Sequence, residues 1–127
     1  YAVSERDGQV YWRVKLGSQV RSSPAVANGR VVVGCVDGRI ACLSASDGDP
    51  VWSAQSAEEV LGSPAITGSV VYIGSKDGAL YAFDLNTGEQ LWRHQTAYGV
   101  YSSPAVADGI LYVGLDYYNL AAMAPVD

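Results

Sequence analysis

One set of landmarks recurs along the chain at a fixed interval, and few folds tolerate such recurrence. Trp12, Trp52 and Trp92 are 40 apart, as are Pro24, Pro64 and Pro104, and Gly34, Gly74 and Gly114. Three landmarks sharing one period without insertion or deletion mark a stack of like supersecondary units. In the middle unit, small residues around Ser63-Pro64-Ala65-Ile66 lead through Thr67-Gly68-Ser69 into Val70-Val71-Tyr72-Ile73-Gly74. Lys76-Asp77-Gly78 turns the chain into Leu80-Tyr81-Ala82-Phe83, and Asp84-Leu85-Asn86-Thr87-Gly88 turns it into Glu89-Gln90-Leu91-Trp92. Gly accepts positive φ in such turns and Asp bonds to nearby amides, so each unit is expected to be a four-stranded antiparallel meander, with strands A, B, C and D. No segment holds a helical period long enough to compete.

The B strands, Val31-Val32-Val33, Val71-Tyr72-Ile73 and Leu111-Tyr112-Val113, are apolar at successive positions. Both faces of each sheet must therefore be covered, whereas a one-sided sheet would alternate. Side chains also grow along each unit, from Ser, Pro and Ala in A to Tyr and Trp in C and D. That gradient suits sheets stacked radially, narrow at the axis and wide at the rim. Pro within strand A fits an inner edge, which has a side without ladder hydrogen bonds. Trp12, Trp52 and Trp92 are expected to dock in the widest gaps, each burying on the order of 200 Å², roughly 5 kcal/mol. The expected fold is all-β, a β-propeller segment of three 40-residue repeats.

The motif Ala82-x-Asp84-x-x-Thr87-Gly88-x-x-x-Trp92 resembles the tryptophan-docking motif of PQQ-like (quinoprotein-type) β-propeller repeats, and Ala2, Ser4, Asp7, Gly8, Trp12 and Cys42, Ser44, Asp47, Gly48, Trp52 follow it less fully. With the Ser-Pro-Ala and Val-Gly stretches the resemblance covers nearly the whole chain. Trp is followed by Arg13, Ser53 or Arg93, so WD repeats fit worse, and the kelch period is longer. The family includes quinoprotein dehydrogenases, which are much longer and carry calcium and a ring of adjacent cysteines above the quinone; this chain has no Cys-Cys pair. It also includes non-catalytic members, such as the lipoprotein of the outer-membrane β-barrel assembly machinery and bacterial kinase sensor domains. The resemblance implies a non-enzymatic binding or sensing platform for a protein or extracellular ligand, periplasmic or extracellular, without a cofactor. The alternatives are an excised segment of a quinoprotein dehydrogenase and a self-assembling structural repeat protein.

The unit boundaries put C and D strands at 1–16, blades at 20–56 and 60–96, and A, B and C-like strands at 100–125. Each terminal blade is split, and closed propellers use four to eight blades. Either the chain is part of a longer propeller, or copies associate to close a ring, two copies giving six blades. Starting at Tyr1 without Met or a leader, it reads as a processed protein or an excised piece. A net charge of -5 disfavours nucleic acid, and no apolar run approaches the roughly 20 residues of a spanning helix. If Asp37-Gly38 is a two-residue hairpin turn, Cys35 faces Ile40 and lies diagonal to Cys42 on the same side, so free, half-buried thiols are expected. One histidine and two cysteines make a zinc site improbable on composition.

Catalytic motifs are absent. His94 follows Trp92 on an alternating strand and is expected to face solvent; Glu58-Glu59 reads as a solvated loop. Asp7, Asp37, Asp47 and Asp77 each precede Gly and read as turn caps rather than calcium ligands. The differences between units cluster in the D-to-A and B-to-C connections, which share one end of a meander. The candidate binding face is therefore Arg21, Arg39, Glu58, Tyr98, Tyr101, Tyr117 and Tyr118, the tyrosines being amphipathic and rigid. Tyr118, standing where Gly stood, equally suits a blade end or subunit contact.

Overall fold

A computed structural model describes residues 1–115 and 119–123, and every regular element among them is a β-strand. Strands β1 (Ala2–Val3) and β2 (Val10–Trp12) form a hairpin. The first four-stranded sheet holds β3 (Ala25–Ala27), β4 (Arg30–Gly34), β5 (Arg39–Ser44) and β6 (Pro50–Gln55). The second holds β7 (Ala65–Thr67), β8 (Val70–Gly74), β9 (Ala79–Asp84) and β10 (Gln90–Gln95). A three-stranded sheet follows: β11 (Ala105–Ala107), β12 (Ile110–Leu115) and β13 (Asn119–Met123). All are antiparallel meanders, and in the two complete sheets the A strand lies at one edge and the D strand at the other.

The central sheet is covered on both faces, and its strands deal residues alternately to two cores. Val71, Ile73, Ala79, Tyr81 and Phe83 pack with Val32, Ile40 and Cys42 of the first sheet and with Val60 and Leu85. Tyr72, Leu80 and Ala82 pack with Leu111 and Val113 of the third sheet and with Val100. Consecutive residues on a strand point to opposite faces, so an unbroken apolar strand holds two neighbours at once.

The landmark glycines are explained by contacts between sheets. A Cβ on Gly34 would lie 2.2 Å from Val60 Cγ1, and one on Gly74 2.2 Å from Val100 Cγ1. Only a hydrogen at these strand ends admits the valine of the following connection. At the inner edge, Ser23 N–H donates to Ser63 Oγ at 2.7 Å and Ser63 N–H to Ser103 Oγ at 2.9 Å, tying successive A strands together.

Each D strand carries an irregularity just before its tryptophan: Val3 pairs with Val10 but Ala2 with Trp12, Leu43 with Pro50 but Cys42 with Trp52, Phe83 with Gln90 but Ala82 with Trp92. The extra residue at Tyr11, Val51 and Leu91 re-aims the chain so that each indole stands opposite a small residue.

Three expectations are corrected. The Asp37 turn is longer than a two-residue loop, since Gly34 pairs with Ile40, Cys35 N–H bonds to Arg39 O at 2.8 Å and Gly38 has φ +89°. The three residues 36–38 make the loop, the next commonest hairpin connection, which is closed by a residue at positive φ, here Gly38. Cys42 therefore lies with Val32 in the first core, while Cys35, an odd number of positions beyond Val32, is on the opposite face; both thiols are free and fully buried rather than half-buried. Pro24, Pro64 and Pro104 precede the A strands instead of lying within them, where their missing N–H costs no ladder bond.

Candidate binding face

Trp12 and Trp52 each seat on the C-to-D turn of the next blade. Trp12 Nε1–H donates to Ala45 O at 3.0 Å and Trp52 Nε1–H to Leu85 O at 2.7 Å. A Cβ on Gly48 would come within 2.6 Å of the Trp12 ring, and one on Gly88 within 2.6 Å of Trp52. The indoles thus sit in the gaps between sheets, half-buried at the rim, with Trp52 6.0 Å from Phe83 and Trp92 5.9 Å from Tyr72 between ring centroids.

The opposite ends of the strands carry the D-to-A connections and B-to-C turns, which brace one another. Ser56 N–H and Oγ–H both reach Gly38 O, and Thr96 N–H and Oγ1–H both reach Gly78 O. Gln55 Nε2 donates to Asp37 O at 2.8 Å and Gln95 Nε2 to Asp77 O at 3.0 Å. Val60 N–H bonds to Cys35 O and Val100 N–H to Ser75 O. The connections are therefore held at both ends, a rigid support for exposed side chains. The recurrence of Gln55-Ser56 as Gln95-Thr96, one period on, was the sequence signal for this brace.

On this face Arg21, Glu58, Tyr98 and Tyr101 are exposed, each in a D-to-A connection. Glu58 lines a shallow groove of about 300 Å³ with Asp37, Glu59 and Lys76, and Lys76 Nζ is 3.8 Å from Glu59 Oε1. Arg39 is half-buried beside the Cys35 thiol, and its Nε has no acceptor among the described residues. Tyr117 and Tyr118 lie outside the described residues. His94 is exposed on β10.

The four turn aspartates cap amides two residues on: Asp7 Oδ1 accepts from Gln9 N–H, Asp37 from Arg39, Asp47 from Asp49 and Asp77 from Ala79. Asp77 Oδ2 also accepts the Tyr81 hydroxyl at 2.6 Å, and the Arg93 guanidinium lies 5.5 Å from the Tyr81 ring centroid. Burial pushes the Tyr81 hydroxyl up from its ordinary value, and the Asp77 bond adds to it. Burial also raises Cys35, and pushes Cys42 up to about 11.

These residues do not fit a calcium-held quinone. Among the described residues no three His, Cys, Asp or Glu side chains come together as ligands, and the two cysteines are buried on opposite faces of one sheet. No described helix is long and apolar enough to cross a membrane.

The family model described as outer membrane protein assembly factor BamB, a PQQ-like propeller, matches residues 1–127. The chain belongs to that family. The crystal structure of BamB from Moraxella catarrhalis is similar with a TM-score of 0.86 and 26% identity over 96% of this chain, which spans 38% of that protein. Quinohemoprotein alcohol dehydrogenase ADHIIG from Pseudomonas putida HK5 aligns with a TM-score of 0.72 and 24% identity, over 83% of this chain and 18% of its own. The quinohemoprotein alcohol dehydrogenase from Comamonas testosteroni gives 0.66 and 21%, over 76% and 17%. Both dehydrogenases share the fold. A comparison with curated protein sequences finds no match.

Proposed function

We propose that this PQQ-like propeller segment is a non-enzymatic, protein-binding platform that serves outer membrane protein assembly from the periplasmic side. The observation that carries the reading is the family match along the whole chain, described as an outer membrane protein assembly factor. The loop face supports it: exposed tyrosines and charged groups stand on connections braced to the blades, so ordering them on contact costs little entropy. Arg21, Glu58, Tyr98 and Tyr101 form the contact surface, and the sequence pattern alone adds Tyr117 and Tyr118 as contacts. The segment acts as part of a closed propeller ring.

The test is surface-plasmon binding of purified outer-membrane β-barrel assembly complexes to the immobilised chain. Saturable binding is expected, weakened about tenfold when Tyr98 and Tyr101 are both changed to Ala. Absence of binding, or binding indifferent to that pair, would overturn the reading. A dehydrogenase segment would instead take up pyrroloquinoline quinone with calcium and gain its near-ultraviolet absorbance; the expected spectrum after dialysis is that of the protein alone.

A further inference from the structure

The A strands of the two complete sheets are tied to each other at both of their ends. At the start, Ser23 N–H donates to Ser63 Oγ at 2.7 Å. At the finish, in the A-to-B turn, Asn28 Nδ2–H donates across the same gap to Gly68 O at 3.4 Å. This second tie is long for an N–H···O bond and stands in solvent, so it restrains the Asn28 side chain only weakly. The next A-to-B turn cannot repeat it, because Gly68, one period on, has no side chain to donate.

Asn28 is followed by Gly29, and the pair forms an exposed two-residue turn with φ of 51° and 72°. Asn is among the chemically labile side chains, and it reacts when the next backbone nitrogen reaches its Cγ. A Cβ placed on Gly29 would meet no atom within 4 Å, so the following residue offers no bulk against that approach. The Gly29 N–H has no acceptor among the described residues, while Gly29 O accepts from Ala45 N–H at 2.9 Å. A surface turn opens locally at little cost, so the approach does not require the blade to unfold. Asn86 supplies the contrast. Its own N–H and that of Thr87 both donate to Asp84 Oδ1, at 2.8 and 3.0 Å, so the nitrogen that would attack is already engaged. The β-branched Thr87 also crowds the approach.

We infer that Asn28 is a site of irreversible covalent modification in the folded chain, its side-chain amide lost to attack by the Gly29 nitrogen, and that the change unties the A-to-B ends of the first two blades. Hydroxide takes the Gly29 N–H proton, and the nitrogen's electron pair forms a bond to Asn28 Cγ. The Cγ–Nδ2 bond breaks and Nδ2, with a proton from water, leaves as ammonia. Water then opens the cyclic imide at either carbonyl, giving an aspartyl residue or an isoaspartyl one whose main chain runs through the side-chain carbon. The balance is one water consumed and one ammonia released, with no oxidant or reductant.

The fold receives the two products differently. Asp108-Gly109 makes the equivalent turn of the third sheet with φ of 51° and 74°, so an aspartyl product keeps the turn. Its carboxylate has no hydrogen to give and stands against Gly68 O, an acceptor facing an acceptor. The isoaspartyl product adds a main-chain carbon to a turn that joins Ala27 to its partner Arg30. That shifts Gly29 O from Ala45, whose own carbonyl seats Trp12. Either product removes the tie to Gly68 and leaves the serine tie to hold the A strands. The inference is independent of what the loop face binds, which lies at the other end of the strands.

Incubation of the full chain at mildly alkaline pH, followed by mass spectrometry of its tryptic peptides, tests it. Cleavage after Arg21 and Arg30 isolates residues 22–30, and cleavage after Lys76 and Arg93 isolates residues 77–93. The first peptide is expected to gain one mass unit at least about tenfold faster than the second, a modest difference in barrier. Asn28→Gly, the residue that the second blade carries at this position as Gly68, is expected to abolish the gain. Amide hydrogen exchange in β3 and β7 is expected to quicken in the aged chain. The same is expected of freshly made Asn28→Asp, whose turn is that of Asp108-Gly109. A folded chain that keeps its Asn28 amide while the urea-unfolded chain loses it would overturn the inference, as would equal rates in the two peptides or a gain that persists in Asn28→Gly. Exchange in the aged and Asn28→Asp chains identical to that of the fresh chain would overturn the untying.

Discussion

A tryptophan in this chain is worth what its seat provides. Trp52 combines a hydrogen bond to Leu85 O, contact with Gly88 and a ring neighbour in Phe83; Trp92 has Tyr72 but no acceptor among the described residues. Trp52→Ala is therefore expected to cost about 3 kcal/mol and Trp92→Ala about half as much, since the cost of truncation follows how closely the removed ring was packed. Urea denaturation of the two variants side by side checks the ranking, and equal losses would contradict the docking geometry. The indoles themselves were legible as landmarks, because a fixed recurrence is visible in one dimension. The seats were not: Leu85 O and Gly88 belong to the next repeat, far from Trp52 along the chain, and only the stack brings them to it.

Hairpins are local: apolar runs mark the strands, and Gly beside Asp, Asn or Thr marks the turns. Asn28-Gly29, with φ of 51° and 72°, and Asp108-Gly109, with 51° and 74°, are two-residue turns of the mirror-image type that suits twisted strands. The loop at Asp37 could not be read so well, because shorter and longer loops use the same Asp-Gly pair and differ only in which residue the partner strand takes. The role of Gly34 and Gly74 was equally hidden, since nothing nearby in sequence says that a valine from the following connection must pass through the strand end. Gly34→Ala should cost about 2 kcal/mol through overpacking against Val60. With Val60→Ala added, the double variant is expected to be more stable than the sum of the singles by about 1 kcal/mol, as a double-mutant cycle from thermal or urea unfolding will read. Simple additivity would mean that the two do not touch.

For the molecule as a whole, stacking makes the interior dry, and the consequence appears in alkali. Burial holds Cys35, Cys42 and Tyr81 in their protonated forms, Cys42 up to about 11. The unfolded chain gives up these protons first, so their contribution to stability is complete at neutral pH and is lost as the pH rises from about 9 through the folded values. Urea midpoints are expected to fall steadily over that window, with a shallower fall in Cys42→Ala; a flat profile would show that water reaches the thiols. The amino-acid sequence determined by itself that this chain is a set of repeated meanders of one propeller family, because strand alternation, turn glycines and recurring tryptophans are all encoded within a single unit. Tertiary structure alone decided which groups are matched across blades: which face each cysteine takes, which loops are braced, and which turn seats Trp12 and which seats Trp52. Those outcomes depend on which sheet lies next to which, and contact between units leaves no mark inside any one of them.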